Sequence, residues 1–92
     1  MEVLLNPEEK VARRQKYSFI GKTINWFRKQ KGWKQSQLAK AAHLNQAQLS
    51  DYENGKTLPT SDMLYEICYA LEIDPVEFTA KSLELKNELV LA

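Results

Sequence analysis

Apolar positions recur at helical intervals along most of the chain. Ile20, Ile24 and Phe27, with Lys31, share one face, so the spacing predicts a helix over 19–31, which Gly32 stops. Residues 35–42 have high helix propensity, with Leu38 and Ala39 facing inward. His43 and Leu44 interrupt, and Asn45 caps the next helix, which reaches Glu53. Asn54-Gly55 ends it in a left-handed turn. After a loop over 56–59, Thr60 or Ser61 caps a helix whose apolar face is Leu64, Ile67, Cys68 and Leu71. Asp74-Pro75 opens another, with Val76 and Phe78 expected to turn inward. Upstream, Asn6-Pro7-Glu8-Glu9 combines an Asn cap, Pro at the first helical position and acids in the first turn, which predicts a short helix over 7–16. The middle of the chain has no strand-like alternation, and the internal loops are short, as in compact helical bundles. The expected class is all-α. Its core is Leu38, Leu49, Leu64, Ile67 and Leu71, with Ile24 and Phe27 against them.

Residues 37–55, QLAKAAHLNQAQLSDYENG, depart from this pattern. Their apolar residues are sparse, and Gln37, Gln46 and Gln48 recur among small residues. Such a stretch buries one thin face and leaves a row of amides outside. It reads as two short helices joined by a tight turn, followed by a glycine stop, which is a helix-turn-helix.

The 92 residues allow one domain with one small core. Hydrophobic residues make up 43% and charged ones 27%, an ordinary globular composition. Apolar runs are too short to cross a membrane, and no secretory signal pattern is present. Cys68 is alone and cannot form an internal disulfide. The expectation is a reduced, cytoplasmic protein. The net charge of +1 hides a division. Residues 1–40 carry ten Lys/Arg against three Glu, and residues 41–92 carry three Lys against nine Asp/Glu. Such asymmetry points to one face meeting a polyanion.

The segment GKTINWFRKQKGWKQSQLAKAAHLNQAQLSDYENGKTLPTSDMLYEICYALEIDPVEF resembles the phage repressor/Cro, or Xre, type of helix-turn-helix domain. The marks that carry the resemblance are Arg28 ahead of the Gly32 turn, Gln35 opening the second helix, Leu38-Ala39, Glu53-Asn54-Gly55-Lys56, and Pro59 before the fourth helix. The resemblance covers roughly residues 19–78. It implies five helices and binding of operator DNA, usually as a two-fold dimer. Residues 1–18 then form an N-terminal extension with a short basic helix. Residues 79–92 form a C-terminal tail and a possible dimerisation segment.

Four positions depart from that family's pattern. Lys34 stands where Ser or Thr usually caps the second helix. His43 takes a turn position usually held by Gly, where a left-handed backbone is expected and His is tolerated better than most residues. Glu72 replaces a second Gly. Asp51 stands on the recognition helix, where a neutral amide or a base is common.

A recognition helix enters the major groove with its N-terminal residues against base edges. The resemblance puts Gln46, Ala47 and Asp51 at base-reading positions and Gln48 near the backbone. Gln can pair with adenine through two hydrogen bonds, Ala47 can touch a thymine methyl, and Asp51 can accept from cytosine N4. At the start of the second helix the Gln35 side chain and the free backbone N–H groups can hold one phosphate. Lys34, Lys40, Asn54 and Lys56 are further backbone candidates, as are Arg13 and Arg14, which with Lys16 form a basic cluster. A solvated helix face accounts for that cluster equally well.

Arg28 and Glu53 match a family pair linking the first helix to the third, expected as a partly buried ion pair with an orienting role. His43 has no metal-ligand neighbours at the right spacing. Cys68 reads as inert core. No nucleophile–base arrangement, Gly-rich phosphate loop or paired acids point to an enzyme, and no cofactor is implied. The short apolar ends, 1–5 and 88–92, and the pair Phe19 and Trp26, lying off the main helix face, need cover from each other or from a second chain, and a homodimer is favoured. The leading function is a sequence-specific transcription regulator that binds double-stranded DNA and acts as a repressor. The alternatives are the DNA-binding antitoxin of a toxin–antitoxin pair, holding a small protein partner, and a protein-interaction module that has lost DNA binding.

Overall fold

The computed structural model describes residues 6–8 and 16–91, with the side chains of 89–91 left out. The described residues contain five long helices: α1 Ser18–Gln30, α2 Gln35–Ala41, α3 Gln46–Glu53, α4 Ser61–Leu71 and α5 Pro75–Leu91. Pro7, Glu8 and Lys16 are helical. The rest of the helix expected over 7–16, with Arg13 and Arg14, lies outside the described residues.

One device ends each of the first four helices. Gly32, His43, Gly55 and Glu72 all have positive φ, at 72°, 59°, 73° and 58°. The left-handed residue donates its N–H three residues back, and its successor donates five back, as in Trp33 to Arg28, Leu44 to Ala39, Lys56 to Asp51 and Ile73 to Cys68. This closes otherwise free carbonyls at the helix ends and turns the chain sharply. His43 thus adopts the conformation expected of it, and Glu72 does the same without a glycine.

Helix starts are more varied. Asn45 accepts from Gln48 N–H, while the Gln48 side chain accepts from Asn45 N–H, so α3 opens on a reciprocal capping pair. At α2 only half of that arrangement exists. Gln37 reaches back to Lys34 N–H at 2.8 Å, but a lysine has no acceptor to return. Asp74 accepts from Val76 N–H at 2.7 Å and Pro75 takes the first position of α5. Thr60 caps α4 in position only, because its hydroxyl is bonded to Asp62.

The core is Ile24, Leu38, Ala39, Ala42, Leu49, Ile67, Cys68, Leu71 and Phe78. Phe27 and Leu64 pack against it partly buried, so Leu64 contributes less than a fully enclosed leucine. Val76 does not turn inward and is 74% exposed. Phe78 and Val76 are two positions apart, about 200° around the helix, so only one can face the core. Thr23 is fully buried and donates to Phe19 C=O at 2.7 Å, which satisfies its hydroxyl.

α5 continues well past Phe78, through residues 79–91. It runs antiparallel along α1. Phe78 stacks on Phe27 with centroids 6.1 Å apart, Lys81 lies 4.1 Å over Trp26, and Lys86 lies 5.7 Å over Phe19. Phe19 and Trp26 are therefore half-buried under their own chain, with lysine ammonium groups over the aromatic faces. Among the described residues, the large apolar side chains left exposed are Tyr65, Tyr69, Val76 and Leu83, on α4 and α5. No described helix is long and apolar enough to cross a membrane.

Candidate nucleic-acid interface

The site is α2, the turn centred on His43, and α3. The turn is short because the left-handed residue at 43 reverses the chain immediately after α2, which lets Leu44 pack against the core and Asn45 start α3. On α3, Leu49 and Glu53 face inward and are buried. Two further rows at helical spacing surround this buried pair, Gln46-Ser50-Asn54 beside it and Ala47-Asp51 opposite it. Gln46 and Ala47 are exposed and Asp51 is half-exposed. Among the described residues, the Gln46 side chain has no hydrogen-bond partner, whereas Asn54 donates to Ser50 Oγ at 3.2 Å.

The inward side of α3 is fixed by charge. Arg28 on α1 donates two hydrogen bonds to Glu53, from Nε to Oε2 at 2.8 Å and from Nη2 to Oε1 at 2.9 Å. Its remaining amine donates to Trp33 C=O at 2.7 Å. The side chains are 11% and 3% exposed, so this is a buried fork in which each guanidinium nitrogen and each carboxylate oxygen has a hydrogen-bond partner. Asn25 also donates to Glu53 Oε1, at 2.8 Å. Burial by itself pushes the Glu53 pKa up, but the hydrogen bonds from Arg28, Asn25 and Gln35 and the Arg28 charge outweigh it and hold the pKa below its ordinary value. Glu53 is thus ionised and pins the end of α3 to α1. The two helices also approach closely at Gly21, where a Cβ would come within 2.0 Å of Tyr52 C=O.

The structure places the other expected residues unevenly. Lys34, Lys40, Asn54 and Lys56 are exposed around the two short helices. Gln48 is exposed, but its carbonyl oxygen is committed to the α3 cap and only its amide donors remain. Gln35 is half-buried and turned inward, donating to Glu53 Oε1 at 3.3 Å. Arg13 and Arg14 lie outside the described residues. Three residues were not anticipated: Asn25, Gly21 and Ser50. The first two act through partners about thirty positions away. Ser50 was legible, since it lies between Gln46 and Asn54 on one row. Cys68 is buried, and burial together with the Asp74 charge raises its thiol pKa, in keeping with inert core.

The helix-turn-helix family pattern matches residues 24–78. The chain belongs to the Cro/C1-type, or Xre, helix-turn-helix family. It is 38% identical over 55 residues to the ImmF control region 10 kDa protein of Bacillus phage phi105, a match that takes in 60% of this chain and 61% of that one. The chain therefore spans somewhat under two thirds of that relative. A crystal structure of the clp gene regulator ClgR from Corynebacterium glutamicum is similar with a TM-score of 0.71 at 25% identity, over 75% of this chain and 90% of that one. A second ClgR structure, at 22% identity, shares the fold with a TM-score of 0.78 over 83% and 81% of the two chains. Cro/C1-type helix-turn-helix proteins are DNA-binding regulators. The matched segment contains α2, the turn and α3 whole.

Proposed function

We propose that this chain is a sequence-specific, double-stranded-DNA-binding transcription regulator that represses by occupying a palindromic operator as a homodimer. The observation that carries the reading is α3 itself. Its inner side is held by a buried, fully hydrogen-bonded carboxylate, and its outer side presents Gln46 and Ala47 unobstructed with Asp51 behind them. A rigidly held helix with free amide and methyl groups at its start is what major-groove reading needs. Lys34, Lys40, Lys56 and Asn54 surround it as phosphate ligands, with Gln35 and Gln48 supplying amide donors. The similarity to a phage control-region protein supports a regulatory role. The two-fold state draws on the exposed apolar face of Tyr65, Tyr69, Val76 and Leu83, since Phe19 and Trp26 are covered within the chain.

The test is selection of bound sites from random duplex DNA, followed by titration at several salt concentrations. An enriched motif with two half-sites about 34–36 Å apart is expected. Each neutralised phosphate should add about −0.9 to the slope of log K against log salt. No enrichment, with binding unresponsive to salt, would remove DNA as the partner. A second reading, the DNA-binding antitoxin of a toxin–antitoxin pair, takes the same apolar face as the seat of a small protein. Co-purification of a stoichiometric small protein would select it.

A further inference from the structure

Glu53 Oε1 accepts three hydrogen bonds, from Asn25 Nδ2 at 2.8 Å, Arg28 Nη2 at 2.9 Å and Gln35 Nε2 at 3.3 Å. A carboxylate oxygen offers about two lone-pair sites, so the three donors compete and the longest bond belongs to Gln35. The other oxygen, Oε2, is held by Arg28 Nε at 2.8 Å. Gln35 is thus the weakest of the four donors on this carboxylate. It is also the one whose side chain reaches Glu53 from the proposed phosphate-contacting helix. If its amide departs, Asn25 and Arg28 still satisfy Oε1, and no buried acceptor is left bare. The cost of leaving a buried carboxylate short of partners is what normally locks such a contact.

We propose that Asn25 is a positioning residue for DNA binding: by satisfying Glu53 Oε1 it keeps Gln35 only loosely held, so that the Gln35 amide transfers from Glu53 to a DNA phosphate when the duplex docks. Without Asn25, Gln35 becomes one of only two donors on Oε1. Its amide is then held more tightly, and moving it to a phosphate leaves a buried oxygen with a single partner. Asn25 never touches DNA in this scheme. This inference rests on the proposed role of Gln35 at a phosphate.

The test is a double-mutant cycle on the full chain, read as affinity for the selected operator and for unrelated duplex DNA. Asn25→Ala should weaken both by about three- to tenfold, the range that one traded hydrogen bond supports. In a Gln35→Ala background, Asn25→Ala should change neither. A merely structural Asn25 would weaken binding equally in both backgrounds, and that result overturns the proposal, as does no loss on either DNA. A second readout is the side-chain amide signal of Gln35 by NMR, assigned by its disappearance in Gln35→Ala. Its protons should exchange more slowly in Asn25→Ala than in the parent, and they should move on addition of DNA. Faster exchange in the variant would refute the competition for Oε1. Should Asn25→Ala fold poorly, Asn25→Ser, whose hydroxyl is too short to reach Glu53, replaces it in both measurements. If Gln35→Ala alone binds DNA like the parent, the phosphate role itself is wrong. If Gln35→Ala weakens binding but the cycle is additive, the phosphate role stands and only the role of Asn25 fails.

Discussion

Replacing Gly21 by alanine tests whether α3 is set by its contact with α1. The added Cβ would stand 2.0 Å from Tyr52 C=O, with the Tyr52 and Glu53 carbonyl carbons at 3.0 and 3.1 Å. All three are backbone atoms, so no rotamer change relieves the clash. The helices must part by about 1 Å or more for the nearest contact to become tolerable, and overpacking of this kind costs about 1–3 kcal/mol. The separation falls beside Glu53, whose buried fork with Arg28 is closed at 2.8 and 2.9 Å. Stretching those bonds adds about 1–2 kcal/mol, a fraction of the roughly 3–5 kcal/mol that removing one partner of a buried pair costs. Against this, Ala is favoured over Gly inside a helix by about 1 kcal/mol. The net expectation is a loss of about 1–4 kcal/mol in urea unfolding, with an unchanged m-value. Operator affinity, measured where the variant is fully folded, should fall more than affinity for unrelated DNA, because displacing α3 misplaces its base-facing rows. A gain in stability would mean that helix propensity dominates and that the close approach is not a constraint. A stability loss with equal losses on all DNA would show that α3 keeps its aim without this contact.

Three further outcomes are expected. His43→Gly and Glu72→Gly should each stabilise the fold by about 0.5–1 kcal/mol in thermal or urea unfolding, because both residues are left-handed at φ 59° and 58° and an L side chain there is strained. Glu53 has its pKa depressed on folding, so its stabilising contribution is present above its unfolded value and is lost as pH falls through the folded one; acid titration of stability below about pH 4.5 should flatten in Glu53→Gln, on a lower plateau. Gln46→Ala should cost about 1–3 kcal/mol on the selected operator and relax one base position per half-site, while binding to unrelated duplexes, followed by fluorescence anisotropy, stays level.

Local signals were legible where chemistry and conformation are settled within one turn of chain. Asn45 before α3, Asp74-Pro75 before α5, and the stops at Gly32 and Gly55 all fall where residue type indicates. The left-handed turn at His43 came from the family resemblance, which puts a Gly at that position, and His tolerates that backbone better than most residues. The inward expectation for Val76 fails because two apolar residues two positions apart suit a strand face, not a helix face. Leu64 is only partly buried; periodicity shows which way a side chain points, not what lies opposite it. The contacts that aim α3 were hidden for a different reason. Asn25 meets Glu53 across 28 positions and Gln35 meets it across 18. Gly21 matters only because a carbonyl from another helix lies against it. None of these leaves a trace in local pattern.

The glutamines show where one residue type serves several physical ends. Gln37 and Gln48 sit three residues after Lys34 and Asn45, the spacing at which a side-chain carbonyl returns to the start of its own helix, and both do so. Their clustering therefore has a folding cause before it has a binding one. For Gln48 the two causes are compatible. The cap uses its carbonyl oxygen and leaves the amide hydrogens as donors, the end that a phosphate oxygen accepts from. The cap also fixes the side chain before DNA arrives, so the rotamer freedom of a glutamine, worth up to about 1.5–2 kcal/mol, is already lost on folding and is not lost again on binding. Gln46, with neither cap nor partner among the described residues, keeps that freedom and both of its hydrogen-bonding ends, as pairing with an adenine edge requires. Gln35, half-held by Glu53, lies between the two. The glutamines are thus one capping residue, one capped donor, one tethered donor and one free side chain, and under the proposed function only the last has base recognition as its sole physical reason for being there.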